Sequence, residues 1–123
     1  MWSFSSCIMK TEKMESLKKS SDFQSVYRYG KSKSNRQFVM LILPNDSAGN
    51  RIGISVSKKI GNSVVRHRIA RLVRESFRLE EARIRKGYDI VMVARAGARG
   101  TDYAQVSRSI LHLAGLHHIL EEE

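Results

Sequence analysis

The stretch from Ser57 to Arg78, SKKIGNSVVRHRIARLVRESFR, constrains this chain more than any other. At about 100° per residue, Val65, Ile69, Leu72, Val73, Ser76 and Phe77 share one arc, and His67, Arg68, Arg71, Arg74 and Arg78 share the opposite one. Gly61 relieves the turn into this pattern, and Asn62 and Ser63 are good N-cap residues. Such a helix must lay one stripe on a core and leave the other in water. The wet stripe is almost purely cationic: the stretch holds seven Lys or Arg against one acid, Glu75. Arg66 and Arg68 stand in the first turn with Lys58 and Lys59 just upstream, where the helix dipole is already positive and a cation costs a few tenths to about 1 kcal/mol. A chain shaped only for folding places acids there. Cations around a helix N-terminus make sense when phosphate docks on it.

The flanking segments read as strands. Asn35 to Leu43 is apolar and β-branched, and Pro44 ends it. After a loop from Asn45 to Asn50, Arg51 to Ser57 alternates, with Ile52, Ile54 and Val56 on one face and Gly53, Ser55 and Ser57 on the other. The pair predicts an antiparallel hairpin, and its small polar face suits the floor of a groove. The central helix is expected to reach about Arg83, and Gly87 breaks the chain before a strand from Tyr88 to Arg95. Strand, long helix, strand predicts a parallel crossover.

Ser21-Asp22-Phe23-Gln24 has the form of a capping box, predicting a first helix that ends at Gly30, with Phe23, Val26 and Tyr27 on one face. Thr101 is the expected N-cap of a last helix whose stripe is Tyr103, Val106, Ile110, Leu113, His117 and Leu120. The order helix, strands, helix, strand, helix defines an α+β fold, a sandwich of three helices and a small, mostly antiparallel sheet. The expected organisation is a flexible basic arm over residues 1–19, with Lys10, Lys13, Lys18 and Lys19, followed by one domain over 20–120.

Net charge and residue types then narrow the function. A charge of +10 and a pI near 10.2 call for a polyanionic partner. A membrane is disfavoured, because no apolar run approaches about 18 residues and the basic helix has no Trp- or Phe-rich face. The lone Cys7 fits a reducing, cytoplasmic setting and stands in a Ser-rich end unsuited to a catalytic thiol. His112, His117 and His118 lack partners at ligand spacing, and Asp22, Asp46, Asp89 and Asp102 are scattered over different segments. Phosphodiester cleavage by protein-held metal needs such carboxylates together, so no catalytic residue and no metal site is expected in the protein.

The run from Ser57 to Arg74 also resembles a family signature at fixed spacing. The protein component of bacterial ribonuclease P carries Ser-Lys-Lys-x-Gly-x-Ala-Val-x-Arg-Asn-Arg-x-Lys-Arg-x-x-Arg, from which this chain departs at Ser63, His67 and Ala70. The likeness extends to Asp22-Phe23 with Val26-Tyr27, and to Asn35-Arg36-Gln37-Phe38, while Leu41 stands where some members carry Tyr. It covers roughly Leu17 to Leu120.

This resemblance implies a subunit that binds a catalytic RNA and the 5′ leader of precursor tRNA, the RNA holding Mg²⁺ and cutting the leader away. It implies RNA contacts from Lys58, Lys59, Asn62, Arg66, His67, Arg68, Arg71 and Arg74, and a leader groove at Phe23, Tyr27, Arg36, Gly53 and Ser55. It also implies a left-handed crossover, where the general chirality rule gives a right-handed one. Nothing in the sequence calls for a protein oligomer. The competing readings are a ribosome-associated or RNA-chaperone module with the same electrostatics, and a protein nuclease, which the scattered carboxylates disfavour.

Overall fold

The computed structural model describes residues 15–17 and 19–121. Three helices pack on one sheet. Strand β1 is Glu15–Ser16, helix α1 Ser20–Tyr29, β2 Lys31–Ser34, β3 Phe38–Pro44, β4 Arg51–Ser55, helix α2 Ser63–Glu80 with a 3-10 turn Glu81–Arg83, β5 Tyr88–Ala94, and helix α3 Tyr103–Leu116. The sheet order is β1-β4-β5-β3-β2.

The α+β class with its three helices holds, but the expected hairpin does not form. Strand β5 lies between β3 and β4, antiparallel to β3 (Leu41 opposite Val91) and parallel to β4 (Gly53 opposite Val91). The sheet is therefore mixed. The loop from Asn45 to Asn50 is built around the inserted strand: the Asn45 backbone N–H donates to Gly87 O at 2.8 Å, and Asn50 Oδ1 accepts from Tyr88 N–H at 2.9 Å. Helix α2 is the crossover between the adjacent parallel strands β4 and β5, as its position in the chain predicts.

Alternation along the strands divides the apolar residues between two clusters. Phe38, Met40, Ile42, Ile52, Ile90 and Met92 meet Ile69, Val73 and Phe77 of α2 and Val106, Ile110 and Leu113 of α3 in the main core. On the other face, among the described residues, Leu41 and Val91 meet Val26 of α1 and Leu17, with Phe23, Val39, Leu43 and Val93 around them.

Several local expectations are corrected. The Ser21 capping box is not used; the N-cap position falls two residues earlier, at Lys19, without a side-chain cap. It does end at Gly30, where a Cβ would lie 2.5 Å from Val26 O and 2.7 Å from Ile42 O, so only glycine fits between helix and sheet. Thr101 does not cap α3. It is buried, donating its hydroxyl to Ala98 O at 2.7 Å, and Asp102 and Gln105 form a reciprocal capping box. Helix α3 stops at Leu116, short of His117, and His118 takes a left-handed conformation. Glu15 to Leu17, expected within the arm, belong to the domain: β1 pairs with β4 and Leu17 is buried. Lys19 is the N-cap position of α1, and the rest of the expected arm, residues 1–14 and Lys18, lies outside the described residues.

Candidate nucleic-acid interface

Helix α2 buries the stripe its spacing marks out: Ile69, Val73, Ser76 and Phe77 are shielded, with Val65 and Leu72 half-buried beside them. His67, Arg68, Arg71, Arg74 and Arg78 are exposed along the opposite side, together with Lys58 and Lys59 upstream. Asn62 caps the helix, its Oδ1 accepting from Val65 N–H at 3.0 Å, which leaves its amide NH₂ to meet a ligand. No acid stands in the first turn.

The cations are not equally free. Arg66 is half-buried and its Nε donates to Gly61 O at 3.3 Å; Arg68 Nη1 donates to Thr101 O at 2.8 Å, tying the helix to the entry of α3. Arg71 makes one stretched pair with Glu75 at 3.4 Å and stays 77% exposed. The side chains of Lys58, Lys59, His67 and Arg74 make no hydrogen bond or ion pair with any other described residue, so the three cations and the imidazole face solvent unpaired within the described structure. Sequence periodicity could not reveal a further cation, Arg99, which donates from Nη1 to Ile60 O at 3.4 Å and extends the patch onto the turn before α3.

The groove residues fare differently on the opposite sheet face. Phe23 and Tyr27 do lie on one side of α1, with Tyr27 46% exposed. Gly53 is not an open floor: a Cβ there would lie 2.7 Å from Cε1 and Cζ of Phe23 and 3.1 Å from Leu17, so the ring rests directly on the glycine. Ser55, half-buried, is the floor position left accessible beyond the ring. Arg36 is not brought to these aromatics; it lines a pocket against α3 with Asn35, Gln37, Gly97, Gln105, Arg108, Ser109 and His112. Leu41 is buried beneath α1.

Two of the scattered carboxylates, Asp22 and Asp89, are held by one cation of the protein itself. Arg51 grips Asp89 through Nε at 2.8 Å and Nη2 at 2.6 Å and reaches Asp22 at 3.5 Å, joining α1 to β4 and β5. Burial pushes the Asp89 carboxyl up, but the hydrogen bonds from Arg51 and Asn45 and the charge of Arg51 outweigh it, leaving the group below its ordinary value. His117 sits behind β3, its Nε2 2.8 Å from Met40 O, and burial holds its pKa below the ordinary imidazole value despite that bond. No three His, Cys, Asp or Glu among the described residues are grouped to hold a metal ion, and no helix among them is long and apolar enough to cross a membrane.

A basic α+β domain whose crossover helix presents a row of exposed cations belongs to the class of nucleic-acid-binding proteins. Comparison narrows the class. The profile of the Ribonuclease P family matches residues 11–117. The ribonuclease P protein component of Lachnoclostridium phytofermentans is 55% identical over 106 residues, 86% of this chain and 91% of that one. The ribonuclease P protein of Staphylococcus aureus superposes with a TM-score of 0.80 at 37% identity, over 89% of this chain and 100% of the other. That of Thermotoga maritima gives 0.76 at 35%, over 81% and 94%. The chain belongs to the ribonuclease P protein family, the protein components of the bacterial ribonucleoprotein endoribonuclease that removes 5′ leaders from tRNA precursors.

Proposed function

We propose that Lys58, Lys59, Asn62, Arg66, His67, Arg68, Arg71 and Arg74 dock this chain on the catalytic RNA of ribonuclease P, and that the open part of the opposite sheet face holds the leader of precursor tRNA. The observation that carries the first half is the exposed side of α2, which carries His67, Arg68, Arg71, Arg74 and Arg78 with no acid in the first turn and Glu75 alone beside Arg71, a pattern no folding requirement explains. Each Lys or Arg that neutralises a phosphate releases counterions and lowers the repulsion between two polyanions, catalytic RNA and substrate. The Arg68 and Arg66 bonds hold the helix N-terminus in place, so the backbone N–H groups and the side chains act as one surface.

Magnesium belongs to the RNA in this reading. The protein's donor set does not suit it, since Asp22 and Asp89 already share the Arg51 guanidinium. Mg²⁺ supplies charge neutralisation and an activated water when bound to RNA. The chain's own residues bind and orient, and the setting is the cytoplasm. Protein freed of RNA is expected to leave precursor tRNA intact in Mg²⁺, and a bacterial ribonuclease P RNA to restore cleavage at physiological salt.

For the leader, Tyr27 is the exposed aromatic and Phe23 its supporting neighbour, locked over Gly53. Stacking on an unpaired base is worth about 1–3 kcal/mol. Tyr27→Ala is expected to weaken precursor binding to the assembled enzyme several-fold, leaving mature-tRNA affinity and melting temperature nearly unchanged. Equal loss for both tRNAs would reduce Tyr27 to general docking.

A further inference from the structure

The pocket between the β2–β3 loop and α3 has no role in the docking surface or the leader groove described above. Its volume is about 500 Å³, within the roughly 300–1,000 Å³ that small-molecule sites occupy and far more than one phosphate fills. The lining is one-sided in charge: two guanidinium groups, Arg36 and Arg108, and the His112 imidazole, with no carboxylate. Amides of Asn35, Gln37 and Gln105 and the Ser109 hydroxyl supply both donors and acceptors.

Its walls are fixed before any ligand arrives. Asn35 Oδ1 accepts from the backbone N–H groups of Gln37 and Phe38, both at 2.9 Å, closing the loop on itself. Asn35 Nδ2 donates to Ser109 Oγ at 3.2 Å, and Ser109 donates in turn to Gln37 Oε1. The far wall is pressed on just as firmly: a Cβ at Gly97 would lie 2.4 Å from Arg36 O, and Arg95 bonds to Asn35 O through Nη1 and to Gln37 O through its backbone N–H. The same turn leads into Arg99 and Thr101, which bond Ile60 O and Arg68 beside the α2 N-terminus. The turn that forms one wall of the pocket at Gly97 is therefore continuous with the segment bonded to the α2 N-terminal region.

We infer that this pocket receives one unpaired ribonucleotide of the RNA docked on α2, the phosphate held by Arg36 and Arg108 and the base edge by the Gln37 and Gln105 amides. The inference rests on the RNA-docking reading for the identity of its ligand, and its test is independent of cleavage. The isolated, isotope-labelled protein is titrated with UMP, AMP and inorganic phosphate while backbone and side-chain amide resonances are followed. The nucleotides are expected to shift Gln37, Gly97, Gln105 and Ser109 saturably, inorganic phosphate to leave the two glutamine side-chain amides unmoved, and Arg108→Gln to weaken nucleotide binding by about tenfold, the worth of one charge-assisted hydrogen bond. Three results would overturn it: no saturable shift, shifts confined to α2, or phosphate matching the nucleotides, which would make the pocket a plain anion hole. Loss of cleavage stimulation in holoenzyme with these titrations intact would sink the docking reading and leave the pocket standing.

Discussion

Helices α2 and α3 pack side by side on the same sheet face, yet they begin in opposite ways. Helix α3 opens on Asp102 with Gln105 three residues on, an acid and a reciprocal cap at the positive end of the dipole. Helix α2 has an Asn cap, no acid in its first turn, Arg66 at the end of that turn and Arg68 just beyond it. The α3 start is what folding alone selects. The difference is what the proposed docking role asks of the α2 start: a charge pattern kept at a cost in helix stability, where the packing surface at α3 carries none.

Four experiments would break or sharpen that contrast. The largest effect is expected from Arg71→Gln with Arg74→Gln: affinity for the ribonuclease P RNA falls on the order of tenfold or more, and the slope of log affinity on log salt flattens by about one to two units. The melting temperature stays put, since both side chains are exposed. An unchanged slope in folded protein would make the α2 face mere solvated surface. Next, Asp102→Ala at the α3 start should cost about 1 kcal/mol, read as a drop of several degrees in melting, while RNA affinity holds. If RNA binding fell as much as stability, the two helix starts would not be separable.

Val64→Glu puts into α2 what α3 already has. Val64 is 74% exposed in the first turn, so the acid should stabilise the fold by a few tenths to about 1 kcal/mol while weakening RNA binding several-fold. Stability and affinity moving in the same direction would refute the trade. The smallest effect concerns His117, just past the other end of α3. Its folded pKa lies below the unfolded value near 6.5, so the unfolded chain binds more protons as pH falls; stability is full above about pH 6.5 and declines below it. The groups facing it are Met40 O, Lys31, Lys33 and His118. Thermal melts at pH 7.5 and 5.5 should differ by a few degrees at most, a difference that His117→Gln removes.

The elements legible in the sequence were those whose signal is local and repeated. The α2 stripe, the Gly30 stop and the β5 run each follow from periodicity or from one residue's stereochemistry. What stayed hidden depends on partners far along the chain. Strand β2, Lys31–Ser34, has every residue exposed and no apolar alternation; it is a strand only because β3 offers an edge. The insertion of β5 between β3 and β4 leaves their hydrophobic pattern unchanged, so periodicity could not distinguish it from a hairpin. Caps at Ser21 and Thr101 were missed by a residue or two because several polar residues stand together there, and packing chooses among them. In the candidate site, exposure of the α2 cations was readable, but Phe23 closing over Gly53 and Arg36 turning to α3 were not, since each is settled by a contact between distant elements.

The placement of α2 as the link between neighbouring parallel strands sets an order of events during synthesis. Arg51 and Asp89, paired across β4 and β5, are 38 residues apart, and the whole cationic helix lies in the interval. A nascent chain that has emerged only as far as Glu80 carries every α2 cation but lacks β5, the strand that places Ile90 and Met92 beneath the helix. Closing so long an interval is among the slow steps of folding. The growing chain thus displays these positive charges before the strand and the last helix that pack against their helix have been made.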